Sequence, residues 1–281
     1  MKTHHALLLI FLLVIGSHSF SYGALPSNPY MVAAETGRPQ AQFELGFRYM
    51  TGQDGIQRDW GKAREWLMKA AEQDYSKAQM LLSTLYADGL GVAQDYEESI
   101  RWLQKAVQKK TGGVGYNLES GQLAVVYSKL GECFLFGKGV KEDQEKGLGF
   151  YSKAAELGYA EAEVQVGICY SEGWAVKKDM AEAVKWFEKA ARKHDFGAFY
   201  LLGNAYKNGE GVPQNFVEAY KWYILATAVG NVSSNTKPDT MQSSIAVNAL
   251  RDRNNLAKQM TPEQIADAQS RAEKYFASSK K

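Results

Sequence analysis

The sequence predicts an all-α protein, a solenoid of stacked helix–turn–helix pairs. Three observations carry that expectation. One motif recurs five times along the 281 residues. Each copy holds glycines where a helix would stop, and an Asp or Asn follows where the next would start. Self-similarity at a period of roughly 20–50 residues is the mark of a repeat array.

The elements follow in chain order. Residues 1–23 read as a secretory signal peptide: one Lys in Met1–His5, ten apolar residues in Ala6–Ile15, then a small, polar stretch. Ser21 and Gly23 suit a cleavage site, with cutting expected after Gly23 and Ala24 as second choice. The apolar run is short of the ~20 residues that span a bilayer. No Cys follows it, which excludes lipoprotein processing. No other stretch nears membrane length, so the expectation is an exported, soluble chain, periplasmic or secreted. Residues 24–38 read as an N-terminal half-repeat and cap, because Ala33-Ala34-Glu35 matches Ala70-Ala71-Glu72 at the end of the first full copy.

Five copies then fill 39–230, at 39–74, 75–110, 123–158, 159–194 and 195–230. Leu45-Gly46, Tyr49, Gly52 and Gly55 open the first. Leu82-Ser83, Tyr86, Gly89 and Gly91 open the second, and Leu130-Gly131, Phe134, Gly137 and Gly139 the third. The fourth has Val166-Gly167, Tyr170, Gly173 and Ala175; the fifth has Leu202-Gly203, Tyr206, Gly209 and Gly211. A cap residue follows in each (Asp59, Asp95, Asp143, Asp179, Asn215), then an aromatic (Trp66, Trp102, Phe150, Trp186, Trp222), then an alanine (Ala70, Ala106, Ala154, Ala190, Ala226). The aromatics are spaced 36, 48, 36 and 36 residues apart. The extra twelve residues form an insert at about 107–122, around Thr111-Gly112-Gly113-Val114-Gly115.

Each copy reads as two antiparallel helices, A and B. Helix A stops at Tyr-x-x-Gly, because glycine takes the left-handed backbone without a Cβ clash. The Asp or Asn caps helix B by accepting from free N–H groups. Asp95/Glu98, Asp179/Glu182 and Asn215/Glu218 have the spacing of a capping box. The glycine of Leu-Gly lets the pair approach closely, and the repeated aromatics are expected to fill the space between pairs. One pair cannot bury its apolar face alone, so pairs must stack.

Residues 231–281 read as C-terminal capping helices. Thr240–Lys258 is one, with apolar Ile245, Val247, Leu250 and Leu256. Thr261-Pro262-Glu263-Gln264 starts another, with a Thr cap, Pro in the first turn and Gln at the capping-box position.

Composition narrows the function classes. Lys and Arg number 33 against 31 Asp and Glu, a net charge of +2 that gives no reason to invoke nucleic acid as a partner. Two Cys and four His, two of them in the first five residues, build neither a disulfide framework nor a metal site. No cofactor or metal is expected.

These motifs resemble the Sel1-like repeat family, a relative of tetratricopeptide repeats, over about residues 39–230. Leu-Gly-x-x-Tyr-x-x-Gly-x-Gly-Val, then Asp, then Trp-Phe/Tyr-x-x-Ala-Ala carries the resemblance, clearest at 202–212 and 215–223. The resemblance implies an α/α solenoid coiling as a right-handed superhelix, which serves as a non-catalytic scaffold for protein–protein or protein–peptide contact. By analogy with tetratricopeptide repeats, helix A lines the concave face. The positions two before Leu-Gly and one after it would bind the partner: Phe43 and Phe47, Met80 and Thr84, Ser128 and Glu132, Val164 and Ile168, Tyr200 and Asn204. Oligomeric state is left open.

The runner-up reading is a cell-wall-associated penicillin-binding or β-lactamase-like enzyme, as suggested for a cysteine-rich branch of the family. Ser234-Asn235-Thr236-Lys237 matches S-x-x-K and Lys110-Thr111-Gly112 matches K-T-G. That chemistry needs the serine at a helix start facing a strand that carries K-T-G. Here Pro238 follows at once and no strand pattern exists, so no catalytic residue is assigned. Cys133 and Cys169 occupy equivalent positions in adjacent copies, about 8–10 Å apart if the helices stack, too far to bridge. Two free, buried thiols are expected. Trp60 and Trp174 fall off the repeat phase beside turns, where either would suit a partner contact. Asn231-Val232-Ser233 is a glycosylation sequon, relevant only in a eukaryotic source.

Overall fold

The protein is described by a computed structural model covering residues 29–108, 117–229 and 241–278. The leader reading at 1–23, the glycine-rich centre of the insert, the 231–239 break, the S-x-x-K and K-T-G matches and the sequon lie outside these residues. The described residues form thirteen α-helices and no strand. They divide into two compact units, the first ending at Leu157 and the second beginning at Gly158.

The first unit opens with α1 (Pro29–Glu35), which buries Ala34 against α2 (Pro39–Thr51). α2 pairs with α3 (Trp60–Glu72), α4 (Ser76–Asp88) with α5 (Tyr96–Ala106), and α6 (Ser120–Phe136) with α7 (Gln144–Glu156). The second unit holds α8 (Ala160–Glu172) with α9 (Met180–Ala191), then α10 (Phe196–Asn208) with α11 (Phe216–Val229). Two further helices, α12 (Met241–Ala257) and α13 (Pro262–Ser278), both pack on α11.

Local chemistry sets every hairpin. Gly52, Gly89, Gly137, Gly173 and Gly209 end the five A helices at φ between +66° and +80°. Their N–H groups donate to the carbonyls of Arg48, Leu85, Cys133, Cys169 and Ala205. The four Asp caps accept from the N–H of Lys62, Glu98, Lys146 and Glu182, and Asn215 accepts from Glu218, all at 2.9–3.0 Å. Each cap's own N–H donates back across the turn to the carbonyl of the motif aromatic: Tyr49, Tyr86, Phe134, Tyr170 or Tyr206. That bond closes the hairpin, so the Tyr and the Asp act as one clasp. The expected capping-box acids turn outward instead. Glu98 pairs with Arg101 and Glu182 with Lys185, three residues on, where cations are in reach. The two-sided box forms at Glu119/Gln122 and at Thr261/Gln264.

The insert lengthens a helix. α2, α4, α8 and α10 start seven residues before the small residue of Leu-Gly; α6 starts eleven before Gly131, one turn earlier. Lys77 pairs with Glu119 at 3.4 Å, and Leu118 packs on the core of Ile100, Leu103, Val126 and Leu130.

The repeat aromatics pack on the core as expected in four copies, Trp102 and Trp222 within it and Trp66 and Phe150 against it, but they are not its deepest residues. Trp102 and Trp222 are buried, but Trp66, Phe150 and Trp186 are only half-buried. The deeper side chain is the next one along: Leu67, Leu103, Tyr151, Phe187 and Tyr223 are each at most 3% exposed. These residues fill the space above the helix A glycine. A Cβ added at Gly46, Gly131, Gly167 or Gly203 would fall 2.5–2.8 Å from Leu67, Tyr151, Phe187 or Tyr223. The indole or phenyl lies one step round helix B, under a lysine: Lys69 over Trp66 at 3.9 Å, Lys105 over Trp102 at 4.2 Å, Lys153 over Phe150 at 5.3 Å and Lys189 over Trp186 at 4.7 Å. The ammonium attracts the ring face while its methylenes cover the ring.

The C-terminal helices also bury a different stripe. Ala246, Ala249 and Leu256 of α12 are buried, and Ile245, Val247 and Leu250 are half-buried. Small buried alanines suit the packing of α12 against α11 and α10. In α13, Ala268 and Ala272 are buried and the Tyr275 hydroxyl donates to the Ala191 carbonyl at 2.7 Å.

Candidate functional site

On helix A, the position two before Leu-Gly and the one after it lie four residues apart and so share a face. The structure treats the two members differently. Phe43, Met80, Ser128 and Val164 are buried, at 2–9% exposure, whereas Phe47, Thr84, Glu132, Ile168, Tyr200 and Asn204 are half-buried. The first member therefore serves the core in four copies, and the second stays partly open in all five.

In the first unit, Phe43 stacks on Phe47 with centroids 6.3 Å apart and meets Tyr75 at 5.3 Å. Phe47 packs against this core and is half-buried. Met80 joins the next core, with Thr84 one turn on. Glu132 pairs with Lys138 across the end of α6. The face runs from aromatic at repeat one to charged at repeat three.

In the second unit, Val164 belongs to the core and Ile168 packs at its edge. The Tyr223 hydroxyl donates to Asn204 Oδ1 at 2.7 Å, and burial raises the Tyr223 phenol above its ordinary range. The Tyr200 hydroxyl donates to Asp252 Oδ2 of α12 at 3.0 Å. Asp252 is thus a member of this face that no repeat position signals.

A second set escaped the sequence reading, four residues before the small residue of Leu-Gly. Gln42, Gln79 and Glu163 are buried there. Gln73 Nε2 donates to Gln42 Oε1 at 2.7 Å and to the Gly37 carbonyl at 3.0 Å. In the second unit Lys193 does the same, to Glu163 Oε1 at 2.8 Å and to Gly158 O at 2.7 Å, with Lys189 at 3.2 Å. Each latch ties a helix A to the end of helix B in its own copy and to the turn preceding the copy. Polar residues at one repeat phase were the available signal. Gln42 Oε1 and Glu163 Oε1 are paired in this way and Gln79 Nε2 donates to the Ala71 carbonyl, whereas Gln79 Oε1 and Glu163 Oε2 are buried without a hydrogen-bond partner.

The off-phase tryptophans divide. Trp60 starts α3 and packs on the first core, with its own backbone meeting Gly91, so it is a packing residue. Trp174 is half-buried in the α8–α9 turn, where its N–H donates to the Cys169 carbonyl at 2.9 Å. Cys133 and Cys169 are free and buried, and burial pushes both thiols up to about 11. Among the described residues no group of three or more His, Cys, Asp or Glu side chains is placed to hold a metal ion. No described helix is long and apolar enough to cross a membrane.

Comparison with known proteins fits this architecture. The Sel1 repeat family matches residues 39–75, 76–110, 124–159, 160–195 and 198–231, together more than half of the chain. A Sel1 repeat protein from Oxalobacter formigenes superposes with a TM-score of 0.65 and 27% identity, over 84% of this chain and 85% of that one. A protective antigen of uropathogenic Escherichia coli strains that displays an SLR fold gives 0.64 and 26%, over 88% of this chain and 56% of that one. Chitin synthase regulatory factor 3 of Schizosaccharomyces pombe is 29% identical over 166 residues, 48% of this chain and 18% of its own length. An uncharacterized protein of Neisseria meningitidis serogroup B is 30% identical over 153 residues, 46% of this chain and 32% of its own. The chain spans less than a third of these curated relatives. With its clasped hairpins, its helix A glycines and five matched copies, the chain belongs to the Sel1 repeat family.

Proposed function

We propose that the chain is an exported scaffold that holds a protein or peptide partner against its helix A face. One observation carries the reading. At each repeat the residue after Leu-Gly stays half-buried, while in four of the five the residue four before it is buried. A face held rigid from behind and open at fixed intervals is suited to reading an extended or helical segment. The relative named as a regulatory factor of chitin synthase supports action through another protein. The leader-like layout of residues 1–23 supports export.

The test is capture of a defined partner by the full chain and by variants. Phe47→Ser in one unit and Ile168→Ser in the other should each weaken capture, while Lys185→Ser on the far side of a helix B should leave it unchanged. Equal capture by all of them overturns the reading. Export is checked by N-terminal sequencing of the chain recovered outside the cytoplasm, with Ala24 as the expected first residue. A cytoplasmic chain that keeps Met1 contradicts it.

A further inference from the structure

Four residues beyond each half-buried member of the helix A face lies a further position of the same stripe. In the first unit it holds Thr51, Asp88 and Phe136, and in the second Glu172 and Asn208. Phe136 is the apolar exception and is 49% exposed. The three A helices of the first unit are joined through shared cores: Phe43 with Leu81 and Leu82, then Met80 with Val126 and Leu130. Their common face therefore runs from Phe47 over Thr84 and Asp88 to Glu132 and Phe136.

The charge of Asp88 is uncompensated. Asp88 is the last residue of α4, where the helix dipole is negative, and the last turn of α4 holds no basic residue. It is half-buried and makes no hydrogen bond or ion pair with any described residue. By contrast, α2 carries Arg48 in its last turn and α10 carries Lys207. The last turn of α6 has no basic residue either, but Lys138 just past its end pairs with Glu132. The middle of the face is left with an unbalanced negative charge between two aromatic rings. A cation brought there is favoured by the carboxylate and by the helix end together.

We propose that the helix A face of the first unit takes a partner segment that places a lysine or arginine at Asp88, between apolar side chains at Phe47 and Phe136. Neighbouring stacked helices lie about 8–10 Å apart, and an extended chain advances about 3.3 Å per residue. The two apolar side chains of the partner then fall about six residues apart, with the cation midway. The proposal rests on the reading of the helix A face as the contact face and names the chemistry of its partner.

The test is selection of random short peptides, displayed on phage, against the full chain. Enriched sequences should carry a basic residue flanked on both sides by apolar ones. The tightest, synthesised with a fluorophore, should lose affinity roughly tenfold on Phe47→Ser, on Asp88→Lys and on Phe136→Ser, the loss expected of an anchoring contact. Glu65→Lys, the same charge change on an exposed site of helix B, should stay within about twofold. Circular dichroism should show the same helical signal in every variant, because none of these side chains is fully buried. Enrichment of acidic or uncharged sequences, no enrichment at all, or affinity indifferent to Asp88→Lys or to Phe136→Ser overturns the proposal. A basic peptide that loses affinity on Ile168→Ser and not on Asp88→Lys also overturns it, yet leaves the wider reading of the helix A face standing. Affinity insensitive to Phe47→Ser and Ile168→Ser as well removes both.

Discussion

Gly167 shows at single-residue resolution how this fold is held. Its missing Cβ leaves room for Phe187, which would lie 2.5 Å away. Phe187 is 2% exposed and cannot retreat. Gly167→Ala should therefore destabilise by about 1–3 kcal/mol through overpacking. Gly121, also in helix A but with no atom within 4 Å, is the control. Gly121→Ala should be neutral or stabilising by up to about 0.5 kcal/mol, as expected from helix propensity. Urea midpoints of the two variants check the contrast, and equal losses would contradict the packing account. The thiols give a second residue-scale expectation. Cys133 and Cys169 are buried and their thiolates are disfavoured. A thiol reagent should label neither in the native chain and both after denaturation. A single disulfide-linked product in non-reducing mass spectrometry would refute this.

At the scale of elements, charge fixes how α13 meets α11. Glu218 accepts from Arg271 of α13 at 2.7 Å and also pairs with Lys221. Burial alone would raise the Glu218 carboxyl, but its bonds and charge contacts with Lys221 and Arg271 outweigh burial and lower it below the ordinary 4.5. A carboxylate lowered on folding stabilises the fold above its unfolded value, and that contribution fades as pH falls through the folded one. Docking of α13 should thus weaken below about pH 4.5 and stay level above it. Glu218→Gln should show a smaller loss of urea stability between pH 7 and pH 3.5 than the unmodified chain; an equal loss would remove Glu218 from the account. Asp195 works in the opposite sense. Burial raises its carboxyl, against N–H bonds from Ala198 and Gly197, so protonation there favours the folded state as pH falls.

At the scale of the whole molecule, both units build the same hairpin and differ in what helix A presents. The first offers Phe47, Thr84 and Glu132 and the second Ile168, Tyr200 and Asn204. Under the proposed reading, truncating one half-buried apolar residue in either unit should lower a partner's affinity by about 1–2 kcal/mol, or roughly tenfold. Phe47→Ser and Ile168→Ser therefore belong in one binding titration, with circular dichroism confirming an unchanged helical signal. Thermal unfolding of such an array follows neighbour contacts more than one central core, so its transitions should be broad compared with those of a globular protein of the same length.

The sequence by itself determined the hairpins. Gly52, Gly89 and their counterparts must end a helix because the left-handed backbone is local chemistry, and Asp59 or Asn215 must start one for the same reason. It also determined the family and the period. Tertiary packing alone decided which neighbour in Trp66-Leu67 or Trp186-Phe187 lies deeper, since a 36-residue period marks both members equally. It decided too that Gln42 and Glu163 are latches, because pairing a buried polar group depends on residues thirty positions away. The seat of α12 was beyond sequence for a related reason. Outside the repeat phase nothing local says that Ala249 is buried or that Asp252 reaches Tyr200, because only a long-range contact chooses which stripe of a helix is buried.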